Sequence, residues 1–101
     1  MSKENSLHDL TAGSLQGLRV LDLSRVLAGP WSAQILGDLG AEVIKVEHPK
    51  NGDGLRTMGS FKDGIPLSWK FHSRNKKCIT LNLGNPQGAE ILTRLVEDTD
   101  I

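Results

Sequence analysis

The chain has 101 residues, the length of one small domain, and its 24% of charged residues is ordinary for a folded protein. Twelve Lys and Arg balance twelve Asp and Glu, so the net charge is zero and the electrostatic case for a nucleic-acid binder or a polybasic membrane protein falls away. No apolar run approaches the ~20 residues that span a bilayer.

Residues 1–14 carry no sustained period, end in Thr11-Ala12-Gly13-Ser14, and read as a flexible leader. Lys3, Glu4, His8 and Asp9 leave that stretch without an apolar block, so neither a secretory signal nor a transit peptide is expected. From Leu15 the texture changes. The run Leu18-Arg19-Val20-Leu21-Asp22-Leu23 predicts a buried strand. A loop over residues 24–29 follows, and Pro30 suits the first position of a helix, where its missing N–H costs nothing. That helix is expected to place Ser32, Ile35, Leu36 and Leu39 on one face and to stop at Gly40. Residues 42–47, Glu-Val-Ile-Lys-Val-Glu, predict a second strand ended by His48-Pro49. Strand, helix and strand at this spacing make a βαβ unit with parallel strands, a crossover that is nearly always right-handed.

Residues 49–75 lack periodicity and read as a long surface excursion, a kind of loop that is usually functional. Lys77-Cys78-Ile79-Thr80-Leu81-Asn82-Leu83 then alternates, predicting a half-buried strand with Ile79, Leu81 and Leu83 on one face. Asn85 caps a last helix with Pro86 at its first position and an apolar stripe of Ala89, Leu92, Leu95 and Val96. Ile101 reads as the first residue of a further strand.

The dinucleotide fingerprint Gly-x-Gly-x-x-Gly and the phosphate loop ending in Gly-Lys-Ser/Thr are both absent. His8, His48, His72 and Cys78 have no zinc spacing, so no metal is expected. One cysteine excludes an internal disulfide framework and fits a reducing, cytoplasmic setting. The loop from Arg25 to Pro30 leaves the carboxyl end of a strand and opens a helix, the place where α/β proteins hold phosphate-bearing ligands; it reads equally as an ordinary connection. Lys70, Arg74, Lys76 and Lys77 cluster before the third strand, as a phosphate-facing patch or as a solvated edge.

Three blocks together carry a resemblance: residues 15–23, Leu27-Ala28-Gly29-Pro30, and residues 36–47. Gly52-Asp53 with Arg56, and Arg74-Asn75-Lys76-Lys77 leading into Ile79-Thr80-Leu81-Asn82-Leu83, continue it in the same order. The chain resembles the amino-terminal part of class III CoA-transferases, the group of formyl-CoA transferase, the carnitine CoA-transferases and α-methylacyl-CoA racemase. The resemblance covers residues 15–101 and implies an α/β fold: an incomplete Rossmann-like, parallel-sheet, coenzyme-A-binding domain, truncated after Ile101. It implies acyl-CoA and a carboxylic acid as substrates and an interlocked homodimer. It carries coenzyme A contacts over to Val26, Leu27, Ala28, His48, Leu81, Asn82 and Leu83.

His48 departs from an arginine common in relatives, and Gly84 stands where many have lysine. The family's nucleophilic aspartate, which carries the acyl group as a mixed anhydride, and the acid/base His and Asp of the racemase branch would both lie beyond Ile101. Asp22 and Asp38 match neither, so no catalytic residue is expected in this chain. The transferase reading therefore stands beside two others, a CoA-thioester racemase or isomerase and a stand-alone, non-catalytic CoA-binding module.

Overall fold

The computed structural model describes residues 13–101; the predicted leader, apart from residues 13 and 14, lies outside them. Strand β1 (Arg19–Asp22), helix α1 (Ala28–Asp38) and strand β2 (Glu42–Glu47) form the predicted unit. The two strands are adjacent and parallel, with Val20 opposite Val43 and Asp22 opposite Lys45. The helix begins before Pro30, which takes its third position. That is still within the first turn, where backbone N–H groups have no partner in the helix. Gly40 follows the helix at φ +105°, a left-handed conformation that only glycine adopts freely, and a Cβ there would stand 2.9 Å from the Gly13 Cα.

The buried face of α1 is Pro30, Ala33 and Gln34, not the predicted face. Ile35 and Leu39 are 45% and 44% exposed. The helix lies close on the sheet, since a Cβ on Gly37 would come within 3.3 Å of Val43 Cγ2, although the long Gln34 side chain is also fully buried. Ala33 joins Val20, Ala41 and Val43 in the core, with Leu15, Leu18 and Leu36 packed against it.

Residues 49–75, expected as a long surface excursion, are mostly exposed but carry short elements of their own. They hold a 3-10 turn (Gly54–Thr57), a hairpin of β3 (Phe61–Lys62) and β4 (Ile65–Pro66), and helix α2 (Leu67–His72). Strands of 2 residues and a helix of 6 are too short to imprint a hydrophobic period. Asp53 and Leu55 are buried there.

Strand β5 (Lys76–Thr80) runs parallel to β2 with Val46 opposite Ile79, giving the order β1-β2-β5. It stops short of the predicted end. Leu81 still donates its N–H to Glu47 O at 3.0 Å, but Asn82 then turns the chain by accepting from Gly84 N–H at 3.1 Å. Helix α3 (Pro86–Glu97) begins as predicted, with Asn85 Oδ1 accepting from Gln87 N–H. Of its expected stripe, Leu92 and Leu95 are half-buried, whereas Ala89 and Val96 are exposed and Gly88 is buried. Ile101 lies along the free edge of β1, donating to Arg19 O at 3.2 Å and accepting from Leu21 N–H at 2.9 Å. That is a parallel pairing, as its reading as a strand residue requires.

Candidate functional site

The carboxyl ends of β1, β2 and β5 open on one side of the sheet, and the loops that leave them enclose a pocket of about 190 Å³. Leu23 and Arg25 come from the loop after β1, His48 from the residue after β2, and Leu81 and Leu83 from the segment after β5. A larger groove of about 920 Å³ lies at the opposite end of the strands, among Arg19, Asp38, Glu42 and Lys77. Its two cations are committed, since Arg19 and Lys77 both pair with Glu42, and Asp98 and Asp100 leave its remaining charge acidic, unsuited to a phosphate. Open parallel sheets bind ligands at their carboxyl ends, so the smaller pocket is the candidate.

Alternation puts Asp22, Lys45, Glu47 and Lys76 on the sheet face that α1 covers, and all four side chains are buried. Lys76 Nζ donates to Asp22 Oδ2 and to Pro30 O, each at 2.8 Å. Lys45 Nζ donates to Asp53 Oδ2 at 2.8 Å and to Ser24 O at 3.1 Å. Glu47 accepts two bonds from Arg56, at 2.8 and 2.7 Å, and the Arg56 guanidinium lies 3.8 Å over the Trp69 ring. Three cations thus face three carboxylates, Asp22, Glu47 and Asp53, and burial is matched by pairing.

The carboxylates stay ionised for identifiable reasons. Burial pushes Asp22 up, but the Lys76 ammonium and both Ser24 donors outweigh it and leave the carboxyl below its ordinary range. Burial likewise opposes ionisation of Asp53, and hydrogen bonds from Leu55 N–H, Lys45 and Val26 N–H reverse the sign. The Arg56 guanidinium dominates at Glu47 and lowers it. Cys78 moves the other way, raised by burial and by the Glu47 charge, which suits an unreactive thiol.

With that network internally neutral, the pocket's uncommitted donors are Arg25 and His48. Arg25 is exposed, with one long 3.5 Å contact to Gly52 O. His48 Nδ1 accepts from Lys50 N–H at 3.1 Å, which assigns the neutral ring's proton to Nε2 and leaves Nε2 as a donor.

Of the residues carried over from the resemblance, His48, Leu81 and Leu83 line this pocket. Val26, Leu27 and Ala28 form the adjoining exposed loop and the start of α1, and Asn82 sits in the turn beyond Leu81; these four are not in its wall. Leu23 is a wall residue that the sequence reading did not single out, and Arg25 comes from the loop that it did. Three of the four residues of the basic cluster have structural roles: Lys76 is in the buried network, Arg74 binds Asp38 and Lys77 binds Glu42, whereas Lys70 is exposed.

The sequence pattern of CoA-transferase family III matches residues 15–101. The chain belongs to that family. It is 46% identical over 88 residues to the succinyl-CoA–L-malate CoA-transferase beta subunit of Chloroflexus aurantiacus, a match covering 86% of this chain and 22% of that protein. It is 47% identical over 88 residues to the human succinyl-CoA:glutarate CoA-transferase, covering 86% and 20%. Among solved structures, a CAIB/BAIF family protein from Brucella suis superposes with a TM-score of 0.79 at 41% identity, over 88% of this chain and 25% of that one. The chain therefore spans about a fifth of the length of the relatives it matches. The α/β fold with its parallel sheet matches that of this CAIB/BAIF family protein. The blocks that carried the resemblance have physical roles: Leu27-Ala28-Gly29-Pro30 opens α1, and Gly52-Asp53 with Arg56 forms the turn that binds Lys45 and Glu47.

Proposed function

We propose that this chain supplies the coenzyme-A-binding part of a CoA-transferase, a Rossmann-like half-sheet that holds acyl-CoA at the carboxyl ends of β1, β2 and β5. The pocket there carries the reading, because Arg25 and His48 meet Leu23, Leu81 and Leu83 across it. Guanidinium and imidazole N–H groups suit phosphate oxygens, and the leucines suit the pantetheine or adenine. Val26, Leu27 and Ala28 continue the contact along the start of α1, where helical N–H groups have no partner in the helix. At about 190 Å³ the pocket takes one portion of so large a ligand, and the remainder runs over the surface of the loop and Asn82.

In the reaction, a carboxylate from residues beyond Ile101 attacks the thioester carbonyl. The carbon–sulfur bond breaks, a mixed anhydride forms, and the CoA thiolate leaves while this chain keeps the coenzyme in place. The thiolate then attacks the enzyme's carbonyl of the anhydride and releases the donor acid. The acceptor carboxylate displaces the thiolate from that thioester to form a second anhydride, and the thiolate attacks the acceptor's acyl carbonyl, freeing the enzyme carboxylate. The relatives are named as transferases acting on succinyl-CoA, which supports a transferase over a racemase, with a dicarboxylic acid such as malate or glutarate as acceptor. Two relatives are named as beta and alpha subunits, which supports assembly of more than one chain. We place the protein in the cytoplasm, on its single thiol; among the described residues no helix is long and apolar enough to cross a membrane.

Calorimetric titration of the chain with coenzyme A tests the reading. Weak, salt-sensitive binding that Arg25→Ala and His48→Ala each diminish is the expected result. No exchange is expected when the chain alone is mixed with succinyl-CoA and malate or glutarate, because the nucleophile is not among its residues. A sharp monomeric melt with micromolar affinity would favour the stand-alone binding module instead.

A further inference from the structure

We propose that Asp53 is a positioning residue for coenzyme binding, holding the loop between β1 and α1 through a left-handed Val26; this rests on the reading of that loop as a coenzyme wall. Val26 has φ +69°, a conformation that is a genuine outlier for a β-branched residue and persists only where its surroundings enforce it. The enforcement is visible. Asp53 Oδ1 accepts from Val26 N–H at 2.9 Å and from Leu55 N–H at 3.0 Å. Its other oxygen is held by Lys45 Nζ, which also donates to Ser24 O.

One buried ion pair, 1% exposed at each end, therefore grips the backbone at Ser24 and at Val26, on either side of Arg25. Arg25 is the pocket's guanidinium. Its backbone has no freedom to drift unless the clamp opens. The clamp is itself anchored: Asp53 N–H donates to Glu47 Oε1 at 3.0 Å, and Arg56 holds that carboxylate from the other side. Lys45 and Glu47 are alternate residues of β2, so a rigid strand sets the height of the loop.

Asparagine at position 53 has one oxygen and one NH₂, and cannot accept from the backbone N–H groups and from Lys45 together. Asp53→Asn should weaken coenzyme A binding by about tenfold and move the Val26 three-bond HN–Hα coupling out of its left-handed value. Adding Val26→Gly should recover most of the affinity, since glycine adopts the conformation without enforcement. Val26→Gly alone should leave Tm unchanged or higher, since glycine holds that conformation without strain, and should cost less affinity than Asp53→Asn. A merely structural Asp53 would show the same loss in the single and double variants. Wild-type affinity in Asp53→Asn, or an unchanged Val26 coupling there, overturns the proposal. If the wild-type chain binds no coenzyme A, the coenzyme reading fails, while the Val26 coupling still decides whether Asp53 holds the loop. If Asp53→Asn does not fold, Val26→Gly decides alone, and a Tm lowered by several degrees counts against stored strain.

Discussion

Asp22 at the end of β1 and Lys76 at the start of β5, 54 residues apart, meet at 2.8 Å across the face of β2 with both side chains buried. The same ammonium holds Pro30 O in the first turn of α1, so one side chain ties the outer strands to the helix. Removing the Lys76 charge leaves Asp22 only the Lys45 ammonium at 3.9 Å and the Ser24 donors, and removing the Asp22 charge leaves Lys76 only Pro30 O. Lys76→Met should lower stability by about 3–5 kcal/mol, as for a broken buried pair, and Asp22→Asn by a comparable amount. Changing both to apolar residues of similar volume should recover much of the loss. Urea unfolding of the two single variants and the double measures it, with additive losses as the contrary result.

Acid should unfold the chain. Asp22, Glu47 and Asp53 all have carboxyls held below the ordinary range. The unfolded state therefore takes up protons at a higher pH than the folded state does. Their stabilisation is complete above the unfolded carboxylate values of about 4 and is lost as pH falls through the depressed folded values. Urea midpoints should be level near neutrality and drop in that acid range, more shallowly for Asp53→Asn. An acid limb of equal slope in that variant would show that Asp53 takes no part.

Gly88 is buried in α3, and a Cβ there would stand 2.1 Å from Asn82 O. Gly to Ala inside a helix ordinarily stabilises, by about 0.4–1 kcal/mol. Here the close approach reverses the sign, and Gly88→Ala should destabilise by about 1–3 kcal/mol. The displaced turn also carries Leu81 and Leu83, so coenzyme A affinity should fall with it. Thermal melts and titration of the same variant read both effects.

Leu27, Trp31 and Ile35, spaced four residues apart, are 55%, 55% and 45% exposed along α1. A row of large apolar side chains in water favours self-association. Sedimentation of the isolated chain should show concentration-dependent assembly, and Trp31→Lys with Ile35→Lys should return it to a monomer. Assembly unchanged by those substitutions would place the contact elsewhere.

The βαβ unit, the Asn85 cap, the stop at Gly40 and the extended pairing character of Ile101 were legible in the chain, though not that its partner is β1. They depend on local signals: apolar runs, cap residues and a glycine where φ is positive. The family was legible too, because its blocks are contiguous. What only the tertiary structure decided is which charges lie inside. Lys45, Glu47 and Lys76 are polar letters in strand segments, and their burial depends on α1 and on the turn around Asp53 folding over them. The face of α1 was decided the same way, with Ala33 and Gln34 buried and Ile35 and Leu39 left exposed. Val26 owes its left-handed backbone to a carboxylate 27 residues away. Local pattern sets periodicity and caps; pairing of buried charges and closeness of packing arise only when distant segments share one volume.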